Sequence, residues 1–320
     1  MMKGTDMVAP SKSLIPWTDT TWSPVTGCTK VSQGCKNCYA EREVKSRWSK
    51  NPKSVFYGRP FTDIQCHPDK LEQPLHWKKP KKVFVCPRGD LFHPEVPDRF
   101  IDQVFAGMAW SPQHTFQVLT KRPDRMMEYM SNGGRPGRID GNRAFLAAAD
   151  QVTTWPLPNV WMGVSIEDQQ TAEERIPLLL RTPAVVRWVS VEPLLGLVDL
   201  SRWLDLYQYE EGDAWHPRNL SRPLHSPDWI VVGGESGPHA RPMHPDWVRT
   251  LRDQCKAAGV PFNFKQWGEW AAADDWPSEI QEDFDVRGLV DGDMIRVGAK
   301  AAGRLLDGVL HDEYPEVNHG

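Results

Sequence analysis

VWMGVSIED, residues 160–168, is apolar at odd and even positions alike until it ends in two carboxylates. A strand with one wet face alternates apolar and polar residues. A run that is apolar on both parities therefore predicts a strand covered on both sides, as in a parallel sheet packed under helices. Five further runs have the same form: KVFVCPRGD (Lys82–Asp90), TFQVLTKRP (Thr115–Pro123), VRWVSVEP (Val186–Pro193), WIVVGGESG (Trp229–Gly237) and FNFKQWGE (Phe262–Glu269). Each closes on a polar or glycine-containing tip and leads into a helical or irregular stretch. PDRFIDQVFAGMAW (97–110) gathers Phe100, Ile101, Val104, Phe105 and Met108 on one helical face. HPDWVRTLRDQCKAAGVP (244–261) has Pro245 near its first turn, an apolar line of Trp247, Leu251, Cys255 and Ala258, and Gly259 as a stop. Cys255 is thereby read as an inert packing thiol.

Strand and helix in repeated alternation predict an α/β protein: a (β/α) TIM-type barrel, complete or partial, over residues 1–270, with an open doubly wound sheet as the alternative. Residues 271–320 break the alternation and read as a small antiparallel extension with DGD and LDG turns. Residues 131–158 and the aromatic-rich 201–227 read as insertions or long loops. In either architecture the ligand site lies at the C-terminal strand ends, which here carry Asp90, Lys121, Arg122, Glu167, Asp168, Glu192, Glu235 and Lys265.

With 320 residues and 40% apolar content the chain can bury a substantial core. A net charge of −4 offers no global attraction to nucleic acid, so contact with a polyanion requires a local patch. One is HWKKPKK (His76–Lys82), read first as a solvated loop leading into a strand and alternatively as a phosphate contact. The N-terminal stretch lacks the apolar core of a signal peptide, and nowhere do about eighteen uncharged apolar residues run together, so a soluble cytoplasmic protein is expected. In that reducing compartment clustered cysteines more often bind metal than form structural disulfides.

Such a cluster exists. GCTKVSQGCKNCYAE (27–41) holds Cys28, Cys35 and Cys38 at C-x6-C-x2-C spacing. The first reading is a [4Fe–4S] cluster on three thiolates with one iron left open, since clusters that only carry electrons commonly take four cysteines. Structural zinc is the rival, with His67 or Cys66 as fourth ligand, although only one C-x2-C knuckle is present. A disulfide plus a spare thiol is the third reading. Cys86, near the end of a predicted strand, is a further site candidate, and Cys66 stays unassigned. GESGP at 234–238 does not form the G-x-S-x-G nucleophile elbow, because Pro238 stands where glycine is required, and no phosphate-binding G-x-x-x-x-G-K-[ST] loop occurs.

A cysteine triad after a first strand, then a helix from about Tyr39 and a (β/α) barrel, resembles the radical S-adenosylmethionine superfamily. The strings TTWSPVTGC…GCKNCYAE, DLFHPEVP, LTKRP, GVSIED, SVEPLLG, GGESG and FKQWGEW resemble, over residues 15–270, a family of radical-SAM-like proteins of bacteriophages and prophages whose function is unknown. Three features depart from the superfamily pattern. The commonest spacing is C-x3-C-x2-C, Asn37 replaces the aromatic residue before the third cysteine, and Gly233-Gly234-Glu235 comes after about the sixth strand rather than the second.

The resemblance implies an enzyme with a [4Fe–4S] cluster and S-adenosylmethionine as cofactors, forming a 5′-deoxyadenosyl radical that attacks an unactivated C–H bond. It also implies a flavodoxin- or ferredoxin-like electron donor as partner. Cys28, Cys35 and Cys38 would ligate iron. Asp90 would take the cosubstrate's amino group, Ser165, Glu167 and Glu192 its ribose or methionine end, and Lys121, Arg122 and Lys265 its carboxylate or an anionic substrate group. Gly233 and Gly234 would let backbone approach the adenine or methionine, and Glu235 is assigned to cosubstrate binding beside them. Glu192, Lys265 and Cys86 are the catalytic candidates. The phage setting implies a thymine-derived or other hypermodified nucleobase in DNA, with a nucleotide, peptide or free metabolite as the alternatives, and with some of the fifteen tryptophans stacking bases and His76–Lys82 meeting phosphates. The same tryptophans are also expected as packing residues, and a zinc-stabilised nucleic-acid-binding protein is the non-enzymatic alternative.

Overall fold

Seven parallel strands follow one another across a single sheet in chain order: β1 (Thr20–Trp22), β2 (Lys82–Val85), β3 (Thr115–Thr120), β4 (Val160–Ile166), β5 (Val186–Val191), β6 (Trp229–Gly233) and β7 (Phe262–Gln266). The computed structural model describes residues 13, 15–133, 154–204, 226–272 and 294–316. All six predicted runs are strands, and the first strand, implied ahead of the cysteines, is β1. The strand order never reverses, which rules out the doubly wound arrangement, since that fold needs a switch point. β1 and β7 remain the two edges, so the sheet is a curled half-barrel and the complete barrel is not formed. Antiparallel contacts from the C-terminal segment cover β7: the Phe264 amide donates to the His311 carbonyl at 2.9 Å, and Asn263 bridges Asp312. An otherwise open edge is thereby blunted.

The helices are α1 (Tyr39–Ser46), α2 (Asp98–Ala109), α3 (Pro123–Ser131), α4 (Gln169–Arg181) and α5 (Pro245–Ala258). The predicted face of α2, Phe100, Ile101, Val104, Phe105 and Met108, is buried. α4 begins in a reciprocal capping box between Asp168 and Thr171, so Asp168, a strand-end candidate, serves a helix start. α5 stops at Gly259, whose φ of 65° is left-handed. Cys255 is fully buried on it, as its apolar line requires.

Alternation along each strand separates two interiors. One parity, including Val83, Val118, Val164, Val189 and Ile230, packs with the helices in the main core. The other parity faces a second cluster of Trp17, Phe84, Trp161, Trp188, Trp229 and Val231. Trp17 lies edge-on to Phe84 at 4.7 Å and to Trp188 at 5.2 Å, and Trp188 lies 5.4 Å from Trp229. The same parity then turns polar toward the C-terminal ends: Trp161, Gly163, Ser165 on β4, Trp188, Ser190, Glu192 on and after β5. An aromatic plug closes one end of the half-barrel and a polar rim opens the other. Thirteen tryptophans fall among the described residues, and all are buried or partly buried, as packing residues are.

In the tail, β8 (Trp270–Ala272) pairs antiparallel with β9 (Met294–Arg296), and β10 (Leu305–Leu306) with β11 (Val309–Leu310). The LDG turn forms as expected, with Asp307 and Gly308 both left-handed at φ 52° and 74°, the two-residue hairpin geometry. The DGD turn and most of both insertions lie outside the described residues. No described helix is long and apolar enough to cross a membrane.

Candidate functional site

Cys28, Cys35 and Cys38 sit on the segment between β1 and α1, over the C-terminal ends of the strands, and all three line one cavity of about 180 Å³. Asp90, Lys121, Ser165 and Cys86 line the same cavity. All six cysteines are free, so the disulfide reading does not hold. Burial, with the Asp90 carboxylate adding to it, pushes the Cys28 thiol up to about 11 against the opposing pull of Arg122. Burial also pushes the Cys38 thiol up. Without a bound cation these two thiols stay protonated, which lets them share the cavity with little repulsion.

The segment is clamped from three sides. On the first, Arg122 donates to Cys28 Sγ at 3.5 Å, to the Thr29 carbonyl at 3.0 Å and to Asp90 Oδ2 at 2.7 Å. Asp90 is buried and also accepts from the Thr120 hydroxyl (2.8 and 2.9 Å) and the Phe92 amide (2.9 Å). Both its oxygens are occupied within the protein, so it orients Arg122 rather than presenting a free carboxylate. On the second side, Glu167 is fully buried and bound by Lys121 and by Arg175, at 3.2 and 3.3 Å. Two cations make that burial tolerable. A Cβ on Gly34, between the first two cysteines, would lie 2.4 Å from the Glu167 side chain, so only glycine lets the segment rest there.

On the third side, Glu235 accepts from Arg241 at 2.6 and 2.9 Å and from Asn37 Nδ2 at 3.0 Å, while Arg241 also reaches the Gln33 carbonyl at 3.1 Å. Burial alone would raise the Glu235 carboxyl, but the hydrogen bonds from Arg241 and Asn37 win and hold it below its usual range. Asn37, the departure from an aromatic residue, is thus the tie between the cysteine segment and the β6 tip. Sequence reading missed Asn37, Gly34, Arg175 and Arg241. Arg241 carries no motif signal, and Arg175 is spaced for helix burial rather than for a site.

Glu192 and Lys265 form an ion pair at 2.5 Å, but neither lines the cavity, nor do Glu167, Gly233, Gly234 and Glu235. The glycines serve close approach within the protein: a Cβ on Gly233 would lie 3.2 Å from Glu192, and one on Gly234 only 1.9 Å from the Trp267 carbonyl. Neither candidate for a fourth zinc ligand lines the cavity: His67 hydrogen-bonds Thr26 at 2.8 Å, and Cys66 also lies outside the lining. Among the described residues no three His, Cys, Asp or Glu side chains converge on a single-ion position. The stretch His76–Lys82 enters the N-terminal end of β2, the rim opposite the cysteines, where its solvated-loop reading fits.

A search of curated proteins returns no match. Among solved structures the chain is similar to spore photoproduct lyase complexed with dinucleoside spore photoproduct, at TM-score 0.38 and 11% identity, covering 78% of this chain and 64% of that one. The chain thus spans less than two thirds of that protein's length. A family model matches residues 12–315, and on that match the chain belongs to the DUF5131 family, proteins of unknown function.

Proposed function

We propose that this chain is a radical S-adenosylmethionine enzyme in which Cys28, Cys35 and Cys38 hold a [4Fe–4S] cluster. The observation that carries the reading is the donor set: three free thiols, Cys28, Cys35 and Cys38, lining one cavity. A cube bound at three corners suits such a set better than a single closed ion does. When bound, the cluster would supply one-electron reduction of S-adenosylmethionine, the chemistry needed to open an unactivated C–H bond.

The chain's own residues then bind, orient and exclude water. Asp90 fixes Arg122, and Arg122 fixes Cys28 and Thr29. Lys121, which also pairs with Glu167, and Ser165 line the cavity wall and are assigned to the cosubstrate's carboxylate and ribose. Cys86, buried at a φ of 56°, keeps a neutral thiol because burial pushes it up; a neutral S–H at the wall is suited to give a hydrogen atom to a substrate radical, the thiyl radical left behind taking one electron from the flavodoxin- or ferredoxin-like donor and a proton from solvent. Glu192 and Lys265 neutralise each other beside β6 and act on the site through position. The substrate assigned to the enzyme is a thymine-derived or otherwise hypermodified nucleobase of phage DNA, on the strength of the resemblance to phage proteins. The reductant is a flavodoxin- or ferredoxin-like donor in the host cytoplasm.

Anaerobic purification tests the reading. Brown protein absorbing broadly near about 400 nm with about four irons and four sulfides per chain, lost in the Cys28→Ala, Cys35→Ala, Cys38→Ala triple variant, together with 5′-deoxyadenosine on reduction, supports it. Colourless protein with one zinc overturns it. Parent-like binding and turnover in Glu192→Gln and Lys265→Ala would remove those two residues from the assignment.

A further inference from the structure

A basic surface does lie beside the cavity, though not where the lysine-rich stretch His76–Lys82 suggested. Between Thr29 and Gly58 seven basic residues stand against two acidic ones, in a chain whose net charge is −4. The two acids are already paired, Glu41 with Lys30 at 3.1 Å and Glu43 with Arg88 at 3.5 Å. Lys45, Arg47, Lys50 and Lys53 are exposed, and none has a carboxylate in ion-pair distance among the described residues.

Aromatic groups are interleaved with these cations. The Arg47 and Arg88 guanidiniums lie 5.0 and 4.9 Å from the Trp48 ring centroid. Tyr57 is 54% exposed, and Tyr39, which lines the cavity, is 42% exposed. This surface is mechanically continuous with the cysteine segment: Trp48, Cys28 and Cys38 all pack on the same small core of Ala40, Val44, Phe56 and Phe61. Spaced cations match the phosphates of a strand, and exposed rings between them match its bases, because every base has a face to stack. An acidic protein would use the charges but has no comparable use for the exposed rings.

We propose that the face built by residues 45–59 binds single-stranded nucleic acid beside the cavity mouth. Binding stands on this surface alone; that the strand presents its base to the cysteine cavity rests on the radical-enzyme reading. The test is fluorescence anisotropy of the full chain with a labelled oligothymidylate of about 15 nucleotides, from about 50 to 200 mM salt. The expected result is salt-sensitive binding that Lys50→Glu/Lys53→Glu weakens at least about tenfold while making the log–log salt slope shallower by about one unit. Tyr57→Ala should weaken it by about five-fold or more with the slope unchanged. Lys78→Glu/Lys79→Glu, on the opposite rim, should leave affinity alone.

Absence of binding at low salt overturns the proposal, as does an equal loss in the opposite-rim variant. It is also overturned if Lys50→Glu/Lys53→Glu abolishes docking of an acidic flavodoxin but spares the oligonucleotide, which would reassign the face to an electron donor. Iron content measured on the same preparations separates the two readings. Oligonucleotide binding by iron-free protein sinks the cluster and leaves the surface, whereas iron-loaded protein that ignores the oligonucleotide does the reverse.

Discussion

Asn37 and Gly34 show how a three-cysteine segment is held before any ligand arrives. Each is small or polar where a larger apolar residue would not fit its partner: Gly34 rests against Glu167, and Asn37 reaches Glu235 and the His239 carbonyl. Gly34→Ala must push the segment off a carboxylate that Lys121 and Arg175 hold fixed. Overpacking of this kind costs about 1–3 kcal/mol, and iron per chain after anaerobic reconstitution should fall several-fold while the far-ultraviolet circular dichroism is unchanged. Gly163→Ala tests the other end of the half-barrel. Its Cβ would meet the Trp188 indole at 2.5 Å, and Trp188, fully buried among Trp17 and Trp229, has nowhere to go. A loss of about 1–3 kcal/mol is expected, read as a lower thermal midpoint with iron content preserved.

At the scale of elements, the strands were legible because burial on both faces writes an unbroken apolar run. The helices were legible where one face is apolar and an end is marked, as in α2 and α5. Asp168 was ambiguous: an acid at a strand tip and an acid at a helix N-cap occupy the same place in a β/α unit. The capping box settles it. Asp168→Ala should therefore cost about 1 kcal/mol in urea unfolding and leave the proposed 5′-deoxyadenosine formation intact, whereas an effect on that proposed turnover at unchanged stability would return Asp168 to the site. Lys121 and Glu167 were found from their strand-tip positions, but their mutual pairing depends on the neighbouring strands β3 and β4 lying side by side in the sheet, which no local pattern states.

For the whole molecule, three histidines weaken stability toward acid. Burial pushes His67 down to about 4 and lowers His93 and His114 below the ordinary histidine range. Between the unfolded value near about 6.5 and these lowered folded values, the unfolded chain binds more protons than the folded one, so stability falls as pH falls. Glu235, also lowered in the fold, acts in the same direction at still lower pH. The urea midpoint should hold above about pH 7 and drop most steeply from about 6.5 to 4. His67→Gln should flatten that slope, because the neutral amide keeps a partner for Thr26 without a proton to gain. An unchanged slope would mean that His67 titrates alike in both states.

The sequence by itself determined the sheet, its parallel sense, the helix faces and the end at which the polar strand tips gather, because each of these is carried by residues close together in the chain and repeated with a fixed period. It also determined the three thiols as a set. Only the tertiary structure decided that the half-barrel stays open, which polar strand tips face the cavity and which are spent on one another, and that the basic surface beside the cysteines is 45–59 rather than 76–82. Those outcomes turn on which strand ends meet across the sheet, and on hydrogen bonds between residues as far apart in sequence as Asn37 and Glu235, a neighbourhood that exists only once the chain has folded.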